Sequence, residues 1–593
     1  MTPVITTRLR PLLLLAGALA LVACGGGGGG GGTSATGGSE PGNPAPPAPA
    51  PAPTPLVFDE AEATRFLSQA TFGPSRAEID ALVDSGPEAW LLDELAKPPT
   101  LHLDRVLAGF PADGNFVDDN GNTLPQLQVL PSNSWWDAAI AGDDQLRQRM
   151  AFALSQILVV SADGNVGRVP QALAQYMDIL TEGAFGNYRD LLEEVTYSPA
   201  MAIYLTYLRN EKADARTGRV PDENYAREIL QLFTIGLVAL EDDGTPALDG
   251  GAEQELFDND DITGLAKVFT GLSWSGAAFN TRLNQLPLTA FYTPLQMFDN
   301  FHSTEAKRFL GTTIPANTAG EESIDLALDT IFNHPNVGPF VGRQLIQRFV
   351  TSDPVPAYVA RVAAAFDDGS YTLPAGEQVG NGQRGDLAAV IAAVLFDSEA
   401  RDPARTSDVS FGKLREPVLR FTHWARAFDI NSADASNERA LRYTGSPESL
   451  GQQPYGSPSV FNFYRPGYIA AGTETGDAGL TAPELQITNA SSIIGYANFL
   501  SLYALELSPK FNRNLPAAFV PDYDAQMALA DDPAALLDNL DGLLTHGTLA
   551  ADTRARITDV LDILPANSQA DRRLRAQAAA IMVMTAPEYI VLR

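Results

Sequence analysis

The 593-residue chain contains a single cysteine, Cys24, and only five histidines, at 102, 302, 334, 423 and 546. One cysteine excludes an internal disulfide, so the chain must be held by apolar burial. No two histidines stand three or four residues apart, the spacing at which one helix offers two imidazoles to a metal, so a histidine-rich transition-metal centre is not expected. Positive charge is also scarce: 40 Lys and Arg against 72 Asp and Glu give a formal net charge of -32. A surface this acidic repels phosphate backbones, which argues against nucleic acid as a partner. The sequence lacks a phosphate-cradling P-loop, a dinucleotide glycine fingerprint after a strand, and a G-x-S-x-G nucleophile elbow. Beyond the N-terminus no apolar stretch approaches the ~20 residues of a membrane-crossing helix.

Arg8 and Arg10 precede an apolar stretch from Leu12 to Val22, closed by Ala23 immediately before Cys24. That is the layout of a cleaved export signal, here residues 1–23. Leu21-Val22-Ala23-Cys24 resembles a bacterial lipobox, whose cysteine is lipidated and becomes the new N-terminus. The resemblance makes Cys24 the lipid attachment site and the membrane a partner through that anchor; the alternative is an ordinary signal peptide with an incidental cysteine. Several acyl chains anchor stably where a single chain is marginal. Gly25, rather than aspartate, follows the cysteine, which by resemblance to known sorting points to the outer membrane. Residues 25 to 32 are all glycine, and Pro41 to Pro55 is rich in proline and alanine. Such composition cannot bury a core. Residues 24–55 are therefore expected to form a tether, its Pro/Ala part extending by ~3.1 Å per residue.

From residue 56 onward the composition becomes that of a globular protein, and helical periodicity dominates. The expected fold is all-α: a large multi-helix body with long loops, in a main helical region, 56–405, and a C-terminal helical region, 406–593, packed on it. Residues 61 to 82 read as two short helices around Phe72-Gly73-Pro74-Ser75. A long helix is expected from Leu146 to Val160, with Arg147 and Arg149 at its start, after the pair Trp135-Trp136. Another should begin at an Asp222 N-cap and run to about Leu240. Three apolar helices end alike, at Tyr197-Ser198-Pro199, Asp397-Ser398-Glu399 and Ala586-Pro587-Glu588, at spacings too unequal for a solenoid.

On the helix beginning near Asp222, Tyr225, Ile229, Leu232 and Phe233 form one apolar stripe. Asn224, Glu228 and Gln231 line another face at i, i+4 and i+7, with Arg227 beside them. This stretch, Asn224 to Gly236, resembles part of the bacterial family catalogued as domain of unknown function 1800. The resemblance extends in order through Phe66-Leu67 to Phe72-Gly73-Pro74, Leu265-Ala266 to Trp274, Phe301-His302-Ser303 to Lys307, and Leu310-Gly311. It continues at His334-Pro335, Arg343 to Phe349 with Asp353-Pro354, Lys413 to Pro417, Gly451-Gln452 to Pro454, and Pro466-Gly467. Membership implies an exported, largely helical protein of uncharacterised activity. It also implies an exported partner of phosphatase-like fold, because genes of the two families are often neighbours. The chain departs from many members at Phe152 to Leu158, where they carry histidines and it has none.

Glu228, His302 and Lys307 are the candidate catalytic residues, because a carboxylate and an imidazole within reach can act as acid and base. Asn224, Arg227 and Gln231 are candidate binding residues. The alternative is structural: Arg227 and Glu228 as a buried ion pair that orients helices, with His302 closing a loop. Trp135 and Trp136 either stack on a sugar ring or, as neighbours on a helix approach, split between core and surface, and His334, before Pro335, is expected to shape a turn. Asp118-Asp119-Asn120-Gly121-Asn122 and Asp258-Asn259-Asp260-Asp261 offer oxygen ligands for Ca²⁺, but neither has EF-hand spacing. No cofactor is predicted. Two functions remain: an envelope assembly or binding protein for a protein partner or extracellular polymer, and an extracytoplasmic hydrolase using Glu228 and His302.

Overall fold

The structure is a computed structural model, and it describes residues 54–112, 123–430, 441, 443–507 and 519–593. Cys24, the signal, nearly all of the tether and the 118–122 acidic cluster lie outside the described residues. The body is built of helices, as the periodicity predicts. Among the described residues, strands occur only as five antiparallel pairs, each strand two or three residues long. None of the described helices is long and apolar enough to cross a membrane.

Local signals set the first helices. Asp59 accepts from the Glu62 amide at 2.9 Å and Ser75 from that of Glu78 at 3.3 Å, each within a reciprocal capping box. They open the helices Glu60–Ala70 and Arg76–Ser85 on either side of the expected Gly73-Pro74 break. Gly73 is required there twice over. Its φ is +109°, and a Cβ would lie 2.4 Å from the backbone and side chain of His423. The break thus lets the first helical hairpin touch the helix Pro417–Ala427.

The helix expected to run from Asp222 to about Leu240 is shorter and irregular. Asp222 accepts the Asn224 amide at 2.9 Å, and regular α-helix covers only Asn224–Glu228. A π-helical turn, Ile229–Thr234, follows. The Thr234 hydroxyl donates to the Ile229 carbonyl five residues back, and the Ile235 and Gly236 amides both donate to Leu230 O at 3.0 Å. Gly236, at φ +76°, turns the chain away. The helix expected over 146–160 occupies Gln145–Ser155. The three matched helix ends are one device: a helix, a break of one or two residues, and a short second helix, as in Tyr188–Thr196 followed by Pro199–Tyr204.

Trp135 and Trp136 are both buried, edge to face at 5.1 Å, with Phe72 and Phe152 against Trp135. Neither ring is available to stack on a sugar. The two ends of the body meet. The strand Lys413–Leu414 pairs with Val591–Leu592, and Arg65 donates to the carbonyl of Arg593 at 2.7 Å.

Candidate functional site

The polar stripe of residues 224–231 is largely taken into the body. Asn224 is exposed, Arg227 and Gln231 are half-buried, and Glu228 is buried with Oε2 lacking a hydrogen-bond partner. Burial holds the Glu228 carboxyl above its ordinary range, and Arg227 opposes that rise without reaching ion-pair distance. His302 is buried; its Nδ1 donates to the Thr270 carbonyl at 2.8 Å. Burial, and after it the Lys307 charge, lowers its pKa against the opposing effect of that hydrogen bond, so the ring is neutral. Lys307 is fully buried and donates to Ser303 O at 3.0 Å. His302 and Lys307 thus belong to one tightly folded loop, and no hydrogen bond or ion pair joins either to Glu228 among the described residues. His334 accepts the Asn336 amide at 3.2 Å, shaping a turn as expected.

The 258–261 cluster works as a helix start. Asp258 accepts from the amides of Asp260 and Asp261, while Asp261 accepts from those of Asp258 and Leu310. The carboxylates of Asp258 and Asp261 are engaged in capping Asn259–Ala266 and in holding the Leu310 amide. Among the described residues no group of three His, Cys, Asp or Glu side chains is arranged to hold a metal ion.

An open groove of about 550 Å³ lies elsewhere, within the ~300–1,000 Å³ typical of ligand sites. Two helical stripes make its walls. Gln175, Ile179 and Glu182 recur at i, i+4 and i+7 on the helix Pro170–Glu182. Asp190, Glu193, Glu194 and Tyr197 recur at i, i+3, i+4 and i+7 along Tyr188–Thr196 and just past its end. Ser198, Pro199 and Pro294 close it. A larger hollow of about 750 Å³ lies beside Lys97 and Arg426, but those cations are already paired with Glu94 and Glu78.

The groove's electrostatics run against helix stability. Glu182 is the last residue of its helix, and Glu193 and Glu194 sit in the last turn of theirs; neither turn carries a basic residue. The C-terminal end of a helix already bears about half a negative charge, so acids there repel it. Arg189 neutralises Glu193 at 2.7 Å and is shared with Asp329. Glu194 has no such partner, and it titrates above the usual carboxylate range. Desolvation by the groove wall is the first cause, followed by the charges of Glu182, Asp190 and Glu193. No Lys or Arg is among the lining residues.

Ser198 adds a second anomaly. It is the N-cap of Pro199–Tyr204, a position where serine normally caps the helix with its hydroxyl, yet it makes no cap bond. It is 2% exposed, and its Oγ has no partner among the described residues. The arrangement offers a cation several carboxylates and an apolar floor of Ile179, Tyr197 and two prolines, while the unpartnered Ser198 hydroxyl is closed to solvent. Reading the sequence for stripes on single helices missed this site, although acids in the last turns of two helices were a visible signal.

No curated protein and no solved structure matches the chain. The family model described as "Protein of unknown function (DUF1800)" matches residues 65–591, nearly the whole body, and the chain belongs to that family.

Proposed function

We propose that this protein is an exported, lipid-anchored binding protein of the bacterial cell envelope, whose acidic groove receives a lysine- or arginine-bearing segment of a protein partner. The observation that carries the reading is the unneutralised Glu182 and Glu194 at two helix ends, beside the unused Ser198 hydroxyl. A cationic side chain placed there relieves repulsion between the acids and between each acid and its own helix end. Its aliphatic stem covers Ile179 and Tyr197, as long cationic side chains do on apolar surface. The lipobox-like Cys24 and the tether supply attachment and reach, and an exported partner of phosphatase-like fold, implied by the family resemblance, is the natural candidate for the segment.

The test is fluorescence anisotropy with the full chain, a lysine-rich octapeptide and its lysine-acetylated form. Exposed ion pairs contribute about 0.2–1 kcal/mol each, so the Glu182→Gln/Glu194→Gln variant is expected to bind the octapeptide roughly 2- to 30-fold more weakly and to lose part of the salt dependence. Equal binding of the acetylated peptide, or an unaffected double variant, overturns the reading. Preferential binding of an amino-polysaccharide replaces the protein partner with a polymer.

A further inference from the structure

A second set of charges lies inside the body, where the ends of several helices meet. A small cavity of about 10 Å³ is lined by Arg149, Arg348, Lys413, Arg415, His423 and Ser68, among others. That volume holds roughly one water-sized occupant. The four cations are each at most 3% exposed. Three of them come from two segments that carry the family resemblance: Arg348 from Arg343 to Phe349, and Lys413 and Arg415 from Lys413 to Pro417.

Their charges are only partly compensated. Two buried carboxylates lie nearby, and neither lines the cavity. Glu416 accepts from Gln156 at 2.6 Å and from Gln452. Glu484 accepts from Ser352 at 2.9 Å and pairs with Lys413 at 3.3 Å. Lys413 spends its remaining donors on the carbonyls of Gln347 and Arg348, at 2.9 and 2.7 Å. Two positive charges are left over. Arg149 Nε and Nη1, Arg348 Nε, Arg415 Nε and Ser68 Oγ have no hydrogen-bond partner among the described residues.

Isolated charges are not buried without a counter-charge, because desolvation costs several kcal/mol per ion. Water satisfies these donors poorly. It would accept from two of them, and the Ser68 hydroxyl could take one of its hydrogens, but the other would face guanidinium groups, which cannot accept. A sphere of negative charge accepts from every side, and a space of this size excludes a tetrahedral oxyanion. The geometry points to a single buried monatomic anion, a halide such as chloride, held by Arg149, Arg348 and Arg415 with the Ser68 hydroxyl. It ties together the helices Glu60–Ala70, Gln145–Ser155 and Val337–Phe349, and the chain leading into Pro417–Ala427.

The experiment compares thermal unfolding of the full chain in sodium chloride, bromide and gluconate at one ionic strength. Halide is expected to raise the midpoint on the order of 2 °C or more over a hundredfold excess above its dissociation constant. Gluconate is expected to give no such rise. Crystals grown in bromide should show an anomalous peak in the cavity, a readout that needs no variant. The Ser68→Asp variant places a tethered carboxylate at the cavity wall and should make the midpoint independent of halide. Equal midpoints in halide and gluconate, or a bromide crystal with no anomalous peak at the cavity, overturn the proposal. So does sulfate acting as well as chloride.

Discussion

Lys413 and Glu484 form an ion pair whose side chains are each 2% exposed, with Nζ 3.3 Å from Oε1. Burial pushes the lysine pKa down and the glutamate pKa up, and in each case the partner's charge opposes the shift. The Glu484→Gln substitution keeps the shape and the bond to Ser352 but leaves the ammonium with only the carbonyls of Gln347 and Arg348. The Lys413→Met substitution leaves the carboxylate with Ser352 alone. Removing one member of a buried pair typically costs about 3–5 kcal/mol, because the survivor's desolvation is no longer offset. Each single variant is expected in that range. The double variant buries neither charge, so it should cost less than the sum of the singles by about 1–3 kcal/mol. Urea unfolding read by tryptophan fluorescence suits the measurement, since Trp135, Trp136, Trp274 and Trp424 are all buried. Additivity within about 0.5 kcal/mol would refute the reasoning, because the two charges would then be compensated by other groups.

Glu228 has its carboxyl pKa raised by burial, so its contribution to stability is full below its unfolded pKa and is lost as pH rises through the folded value. The Glu228→Gln variant is expected to flatten that decline, and unfolding midpoints across the acid-to-neutral range would show it; a slope identical to wild type would mean the carboxyl is solvated. Asp178 accepts the amides of His102 and Leu103 at 2.6 and 2.9 Å, yet burial lifts its pKa to about 7. Its stabilising contribution should likewise fade between about pH 4 and 7, and carbon NMR of the labelled carboxyl checks the midpoint; titration near pH 4 would show that the two amides outweigh burial. The Cys24→Ala substitution is expected to release the protein from isolated membranes, and retention in the pellet would assign attachment to another surface.

Much of the fold was readable because its signals are local. The capping boxes at Asp59 and Ser75, the Gly73-Pro74 break and the 3.6-residue period each act within a few residues. The 222–240 helix was misjudged because an apolar stripe looks the same whether the chain continues as α-helix or widens into the π turn at Ile229–Thr234. Packing, through the Leu230 carbonyl and Gly236, decides between them. The paired tryptophans went wholly inside for a related reason. Phe72 and Phe152 give Trp135 an apolar seat, and Trp136 turns edge-on toward Phe421. The candidate groove was half legible. Its acids at helix ends stand in the sequence, but that the 170–182 and 188–196 helices turn their stripes toward one hollow is a tertiary fact. The charged cluster was less legible still, since Arg149, Arg348 and Lys413 lie far apart in sequence and only the folded body brings them to one cavity.

The distribution of charge has a consequence for how this chain responds to salt. Its surface is strongly acidic and one buried cluster, at the cavity, holds an excess of cations, so added salt acts on the two in different ways. Screening of surface carboxylates depends on ionic strength alone, and the Debye length falls from about 10 Å at 0.1 M to about 3 Å at 1 M. It should relieve self-repulsion equally in chloride and gluconate. Filling a buried site depends on the identity of the anion and saturates near its dissociation constant. The groove variant Glu182→Gln/Glu194→Gln removes two surface charges and should therefore lower the common, non-saturating response while leaving the halide-specific part intact. Ser68→Asp should do the reverse. If both variants changed the same component, the acidic groove and the cationic cavity would be one electrostatic system, and neither could be assigned its own ligand.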